Sequence, residues 1–255
     1  MVFLDTLTSG MGFTTIAVAL ICLISLLALV VNESRHHTPL LDLSMFREKK
    51  FVLPIISITL LIISSFALFI LGPFYFQGVM GYTPSMVGTV FLIVPAIMTF
   101  GSPLGGWIYD KYHYKYNSAI GMLIVAASLI LAGYATRRVD LPAILLSFVL
   151  MGLGSALVQS PMNTEIMNAL PRNLLGTASS FSSAVRYLGM AIGVSVSSTL
   201  LSVQLRMEGY QGSVLNASPD LLSSTISNVL VIAAVLCVLG MFTAALRNVG
   251  PLMKD

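Results

Sequence analysis

Gly101-Ser-Pro-Leu-Gly-Gly-Trp-Ile-Tyr-Asp-Lys-Tyr-His-Tyr-Lys115 is the stretch that decides the fold, because it joins two long apolar segments through a short charged turn. An apolar run from Met86 to Phe100 comes before the turn, and another from Ala119 to Ala135 follows it. The turn itself carries Asp110 and Lys111. Two runs of bilayer length with so short a polar connection predict a helical hairpin in a membrane.

The composition extends this prediction to the whole chain. Its 255 residues are 56% hydrophobic and only 9% charged, whereas soluble domains carry roughly a quarter charged residues. A soluble protein of this size could not cover its surface with so few polar groups. The net charge of +3 does not indicate a nucleic-acid partner, because the basic residues are spread over loops and form no patch. Cys22 and Cys237 lie inside apolar runs, which favours inert thiols over a disulfide.

Seven apolar runs approach the length of a membrane-spanning helix, and none alternates like the strands of an outer-membrane barrel. We therefore expect an all-α polytopic membrane protein with seven transmembrane helices. A seven-helix receptor or rhodopsin is an alternative, but no Lys lies within a run to carry a retinal Schiff base. The runs lie at about 12–31, 51–76, 84–107, 117–135, 141–163, 174–202 and 224–246.

The distribution of Lys and Arg predicts the orientation, because cytoplasmic loops carry an excess of both. With the 32–50 loop in the cytoplasm, nine basic residues fall on the cytoplasmic side and three on the outside. The prediction is a multi-pass protein of the cell (plasma or inner) membrane, with its N-terminus outside and its C-terminus in the cytoplasm. The nine are Arg35, Arg47, Lys49, Lys50, Lys111, Lys115, Arg172, Arg247 and Lys254, and the three are Arg137, Arg138 and Arg206.

Arg186 is the remaining basic residue, and it lies inside a predicted span. A charge in hydrocarbon costs several kcal/mol, so its side chain is expected to face protein or a water-filled cavity. Two interpretations stay open: a cavity residue that attracts an anionic group or modulates proton coupling, and a structural anchor that bonds backbone carbonyls or snorkels to the surface. Small and polar residues share its helical stripe, namely Ser179, Ser182, Ser183, Gly189, Gly193 and Ser197.

A second stripe, in the 141–163 run, ends in the amides Gln159 and Asn163, which suit hydrogen bonds in a cavity. Glu165 follows near the predicted helix end, where a solvated or paired carboxylate is favoured over a proton carrier.

Tyr75 and Gln77 lie at the outer end of the 51–76 run. We interpret them as residues of an aromatic belt at the membrane interface, with ligand contact as the alternative. Glycines at small-residue spacing predict close helix packing: Gly101, Gly105, Gly152, Gly189 and Gly193.

Other chemistry is not indicated. The chain has no Gly-x-x-x-x-Gly-Lys-Ser/Thr loop for ATP, and no nucleophile, base and orienter that would predict an enzyme. His36, His37 and His113 lack metal-ligand spacing. We expect no metal and no cofactor.

The charged turn resembles the Gly-x-Leu-x-Asp-Arg-x-Gly-Arg-Lys loop of major facilitator superfamily transporters. The resemblance implies that this loop gates alternating access, with Asp110 holding one conformation by pairing with a cation or capping a helix. For Lys111 and Lys115, the alternative is a solvated loop that obeys the positive-inside rule. The matching residues are Gly106, Ile108, Asp110, Lys111 and Lys115, whereas His113 and Tyr114 replace the family's Gly and Arg.

Almost the whole chain resembles the last part of 14-helix drug:proton antiporters of the EmrB/QacA type. The resemblance implies that residues 51–255 form one six-helix transporter half with a 3+3 inverted repeat. Residues 1–50 would supply an extra transmembrane helix, at about 12–31, and a cytoplasmic linker. The matching positions include Glu33, Arg35, Pro39, Leu40, Leu43 and Phe46, then Tyr75-Phe76-Gln77, then Pro161, Pro171, Gly176, Arg186, Gly189 and Gly193.

The same resemblance implies the C-terminal portion of a proton-coupled secondary transporter that exports drugs or other small amphipathic molecules. Its partners would be the lipid bilayer, a small-molecule substrate, protons and an N-terminal transporter half. The substrate-cavity candidates are then Arg186, Gln159, Asn163, Tyr75 and Gln77. The alternative is a non-transporting membrane protein, either an interaction partner or a nonfunctional remnant.

Overall fold

The computed structural model describes Ile24 and residues 48–246, apart from 113–115, 170, 172–173, 211, 213 and 215–216. The predicted span at about 12–31 and its linker therefore lie outside the described residues, save Ile24, and the predicted boundary at 50/51 stays a prediction. The helices from Glu48 onward belong to one compact unit, Glu48–Asp255. In this part of the chain, six helical spans are long and apolar enough to cross a membrane. The predicted all-α membrane fold is confirmed for them.

Seven helices build these six spans within residues 48–246, since the second span consists of two helices. They are α1 (Lys49–Gly78), α2 (Pro84–Phe91), α3 (Ile93–Tyr112), α4 (Asn117–Arg138), α5 (Leu141–Asn168), α6 (Leu175–Met207) and α7 (Pro219–Ala245).

The second span is interrupted at Leu92 because Pro95 has no N–H to donate to the carbonyl of Phe91. The Leu92 N–H bonds the carbonyls of Gly88 at 3.2 Å and Thr89 at 3.3 Å. Pro95 then lies in the first turn of α3, where a missing N–H costs little. The predicted run at 84–107 is thus two helices that together make one span.

The last helix begins at Pro219, and not near 224 as predicted. Ser223, Ser224 and Thr225 lower the apolar character of its first turns, so the hydropathy pattern does not reveal them. Their hydroxyls are satisfied by carbonyls, and that of Ser223 donates to the Thr136 carbonyl of α4 at 2.7 Å. A polar but hydrogen-bonded turn can therefore be buried between helices.

The helix neighbours follow a two-fold pattern. The first triplet is α1, α2–α3 and α4, and the second is α5, α6 and α7. The first helix of the first triplet, α1, packs against α6 and α7 of the second triplet. Likewise the first helix of the second triplet, α5, packs against α3 and α4 of the first. The third helices, α4 and α7, pack against each other. Exchanging the triplets leaves these pairs unchanged, which confirms the predicted 3+3 repeat.

The second and fifth spans are the least buried of the six. Large apolar side chains remain exposed on them, among them Phe100, Leu104 and Trp107 on α3 and Tyr187 and Leu188 on α6. Such faces are compatible with an apolar surrounding, either lipid or the apolar surface of other helices. The packed core lies instead among α1, α4, α5 and α7.

Candidate functional site

Three of the predicted polar residues meet between α5 and α6. The Arg186 Nη1 donates to the Gln159 Oε1 at 3.3 Å, and its Nη2 donates to the Asn163 Oδ1. Gln159 and Asn163 are one helical turn apart on α5, so both amides lie on the side that faces α6. We call Arg186, Gln159 and Asn163 the arginine–amide cluster.

The arginine–amide cluster bridges two helices that hardly touch elsewhere. α5 packs mainly on α4 and α3 and α6 mainly on α1, so the contact between α5 and α6 themselves is small. Arg186 and Gln159 are half-buried, and Asn163 is exposed. The cluster is therefore accessible from outside the bundle, and we call the gap that it spans between α5 and α6 the cleft.

Arg186 lies well inside its span. It is about 17 Å from Leu175 along α6, at ~1.5 Å per residue, in a helix of 33 residues, so about a third of the helix precedes it and two-thirds follow it. Its recorded partners are the side-chain oxygens of α5, so the guanidinium reaches sideways across the cleft. Among the described residues the guanidinium bonds no backbone carbonyl.

Tyr75 and Gln77 lie far from this cluster. Gly189 faces Ile62 on α1, and Tyr75 is about 20 Å further along α1, at ~1.5 Å per residue. Tyr75 is 1% exposed and packs edge-on against Phe76, with 5.7 Å between ring centroids. Its hydroxyl is buried and has no hydrogen-bond partner in the described part of the chain. The structure thus places Tyr75 in the core and away from an aromatic belt, because α1 is surrounded by other helices, while Gln77 is half-buried.

The predicted gating motif begins in close contact with α5. A Cβ added at Gly106 would lie 2.7 Å from the Oγ of Ser160, the neighbour of Gln159. Lys111 is exposed, with its Nζ 4.6 Å from the centroid of the Trp107 ring. Asp110 lies in the last turn of α3, but its side chain is outside the described set, as is the whole of Lys115.

The predicted packing glycines lie where helices from the two triplets approach each other. At four of them an added Cβ would come within about 3 Å of the facing helix, while Gly189 has more room, with 3.4 Å to the Ile62 side chain. The four distances are 3.0 Å from Gly101 to the Ala156 Cβ, 2.8 Å from Gly105 to the Ala156 carbonyl oxygen, 2.9 Å from Gly152 to the Ile97 Cβ and 2.9 Å from Gly193 to the Ile63 carbonyl oxygen.

Two further contacts were not predicted from the sequence. The side-chain amide of Asn117 donates to the carbonyl of Leu157 at 3.2 Å. A Cβ at Gly154 would lie 2.7 Å from the carbonyl oxygen of Gly121, so α4 and α5 pack backbone to backbone. Pro161, inside α5, was the available signal for the first contact, since a proline frees the carbonyl four residues before it.

Across the residues that the structure describes, no group of three or more His, Cys, Asp or Glu side chains could hold a metal ion. What the site offers is a guanidinium and two amides in a cleft between helices, an arrangement suited to noncovalent recognition of a polar group.

Comparison with known proteins gives relatives that are named as multidrug resistance or export proteins, together with a riboflavin transporter of Clostridioides difficile. The chain is 30% identical to the multidrug resistance protein Stp of Mycobacterium tuberculosis over 173 residues, which are 68% of this chain and 32% of that protein. It is 31% identical to the probable multidrug resistance protein EmrY of Escherichia coli over 213 residues, or 81% of this chain and 40% of EmrY. With the tetracenomycin C resistance and export protein of Streptomyces glaucescens it shares 31% identity, covering 68% of this chain and 32% of that protein.

The chain spans about a third to two-fifths of the length of these curated relatives. The sequence profile of the Major Facilitator Superfamily matches residues 6–194, which is most of the chain. Together with the six-span helical fold and its two-fold pattern, this match identifies the family. The chain belongs to the Major Facilitator Superfamily of membrane transporters.

Proposed function

We propose that this chain forms the C-terminal portion of a proton-coupled secondary transporter that exports drugs or other small amphipathic molecules. The observation that carries the proposal is the arginine–amide cluster, which spans a cleft in a bundle whose buried polar side chains, among the described residues, are the uncharged Ser, Thr and Asn. A charge within the hydrocarbon layer costs several kcal/mol unless water solvates it or protein groups pair with it, and a water-filled substrate path would solvate it. Relatives named as multidrug resistance or export proteins support the choice of substrate class.

A second six-helix lobe is part of the proposal. Carriers of this architecture bind substrate between two lobes, near the bilayer midplane. The short coverage of the relatives and the exposed apolar faces of α3 and α6 support a further segment or chain as that lobe. We propose that it supplies the N-terminal half.

The protons are proposed to be carried by that other lobe. The carboxylates of the described helices lie near helix ends: Asp140 caps the start of α5, Glu208 the end of α6, and Asp220 lies in the first turn of α7. Glu165 is also close to the end of its helix, which reaches Asn168. A proton carrier is expected in the membrane interior, where its ionisation responds to access from either side.

The proposed orientation places residues 113–115, which join α3 to α4, in the cytoplasm, in line with the excess of Lys and Arg on that side. There the gating motif would hold one conformation through Asp110. The close approach of Gly106 to Ser160 supports a link between this motif and the cleft, because Ser160 is adjacent to Gln159 on α5. A shift of the α3 end would then move the helix that carries both amides.

Co-expression tests the proposed function. The chain is produced in drug-hypersensitive bacteria with a partner half, such as a neighbouring reading frame that encodes about seven or eight membrane helices. We expect efflux of dyes and drugs that requires both chains and stops when a protonophore collapses the proton gradient. Arg186→Gln should reduce this efflux, whereas Arg206→Gln, an exposed position near the other end of α6, should not. Unchanged drug sensitivity across the panel would favour a non-transporting membrane protein.

A further inference from the structure

We propose that the arginine–amide cluster recognises an anionic oxygen group, such as a carboxylate or a phenolate, on the substrate and disfavours cations. This inference rests on the proposed transport function and specifies the substrate class of the same site.

The hydrogen-bond inventory of the cluster is made almost entirely of donors. Arginine has only N–H groups and no acceptor, so the oxygens of both amides must face it. Its bonds to Gln159 and Asn163 use one N–H on each terminal nitrogen. Within the described part of the chain, three of the about five guanidinium N–H groups are therefore available to a ligand. The amide NH₂ groups of Gln159 and Asn163 consequently turn away from Arg186 and are donors as well. A ligand at this site must therefore offer acceptors.

The charge of the cluster points to the same class of ligand. The recorded partners of Arg186 are neutral amides, and no carboxylate pairs with it among the contacts that the structure describes. The guanidinium is half-buried, so its field is less screened than it would be in bulk water. An anionic oxygen group would supply the missing counter-charge, and the planar fork of arginine fits a carboxylate or a pair of neighbouring oxygens. A cationic group would meet a like charge.

A ligand can reach these donors. Asn163 is exposed, Gln159 and Arg186 are half-buried, and the small contact between α5 and α6 leaves the cleft accessible from outside the bundle. Ser183 is exposed one turn before Arg186 on α6 and adds a hydroxyl at a three-residue step. The amides hold the guanidinium plane across the cleft before any ligand arrives, which reduces the ordering cost of binding.

Three probes that share one ring system test the charge preference: 2-naphthoate, 2-naphthamide and 2-naphthyltrimethylammonium. Their binding to the full chain is titrated calorimetrically in nanodiscs of phosphatidylcholine, which carry no net lipid charge. We expect 2-naphthoate to bind at least tenfold more tightly than either other probe. Arg186→Gln should weaken 2-naphthoate binding about 10- to 100-fold and leave it no tighter than 2-naphthamide.

Two further variants separate recognition from a purely structural bridge. Arg186→Lys keeps the charge and loses the fork, so it should retain part of the preference for 2-naphthoate; circular dichroism checks that both Arg186 variants are folded. Arg206→Gln, the matched loss of a cation on the same helix, should leave all three affinities as they are. A bridge without ligand contact would change thermal stability in the Arg186 variants but not the order of the three probes.

The proposal is overturned if the cation binds as tightly as 2-naphthoate, if the preference survives Arg186→Gln, or if no probe binds. A repeat with one-third phosphatidylglycerol distinguishes the source of the anion. Unchanged affinity supports a soluble substrate, whereas an Arg186-dependent loss assigns the site to a lipid headgroup and overturns the substrate assignment. Anion preference without efflux in the co-expression assay would contradict the transport function and leave the inferred chemistry standing.

Discussion

The side-chain amide of Asn117 donates a 3.2 Å hydrogen bond to the carbonyl oxygen of Leu157, the carbonyl that Pro161 leaves without its helical partner. The first residue of α4 thereby satisfies a backbone group of α5. Asn117 is buried. Along α5, Leu157 lies between Gly154, whose backbone contacts α4, and Gln159 of the arginine–amide cluster. The bond connects the start of α4, just after the gating turn, with the helix that carries the cluster.

Removing this amide should destabilise the fold through an unsatisfied carbonyl. We expect Asn117→Ala to lower the free energy of unfolding by about 1 kcal/mol, the usual net value of such a bond, including bonds between membrane helices. Pro161→Ala restores an N–H for the Leu157 carbonyl, so Asn117→Ala should cost clearly less in that background. Unfolding of the four proteins of this double-mutant cycle in detergent measures the difference. Equal costs in both backgrounds would show that the bond to Leu157 is not what Asn117 contributes.

The backbone contact between α4 and α5 leaves no room for a methyl group. Gly154→Ala places a Cβ 2.7 Å from the carbonyl oxygen of Gly121, and overpacking of this kind costs typically about 1–3 kcal/mol. Gly176→Ala is the matched control, since nothing lies within 4 Å of its Cβ position. Thermal unfolding should show a clear drop for the first variant and little change for the second. A neutral Gly154→Ala would mean that the two helices are further apart than described.

The tight turn from α4 to α5 holds a strained residue. Val139 has φ +54° and ψ +39°, the left-handed conformation, which costs a β-branched residue roughly 1–2 kcal/mol. Asn tolerates this conformation better, so Val139→Asn should raise the free energy of unfolding by about 1 kcal/mol. Val79 also follows a helix but has φ −102°, and Val79→Asn should bring no gain. A stabilisation of the same size at both positions would show that the gain comes from the Asn side chain itself and not from relief of backbone strain at position 139.

The gating prediction concerns rates and not affinity. If Asp110 holds one conformation of the transporter, Asp110→Asn should lower export by about tenfold, which corresponds to a conformational bias of ~1.4 kcal/mol, while 2-naphthoate binding to the chain stays unchanged. Glu208→Gln, an exposed carboxylate at the end of α6, serves as the control and should not alter export. A loss of binding in Asp110→Asn would instead place this residue at the substrate site.

The sequence predicts which side chains form the cluster better than it predicts how the helices around the cluster pack. A lone Arg in an apolar run and two amides one turn apart predict polar side chains that face protein, and the structure brings these three together. The burial of Tyr75 could not be predicted in this way. Hydropathy places it near the end of a span but does not reveal which helices surround α1. The start of α7 was missed because hydroxyls that bond carbonyls, such as that of Ser223, look polar in sequence although they are buried. Asn117 was missed because its acceptor, forty residues away on another helix, is freed by a distant proline.

The proposed site requires that water, and not lipid, fills the cleft between α5 and α6 at Arg186. The direct test replaces Cys22 and Cys237, introduces Ser183→Cys beside the cluster or Ile130→Cys on an exposed part of α4, and measures reaction with a membrane-impermeant thiosulfonate in the bilayer. We predict fast modification at position 183 that 2-naphthoate slows, and little modification at position 130. An inert thiol at position 183 in a folded protein, as unreactive as the one at position 130, would contradict the account.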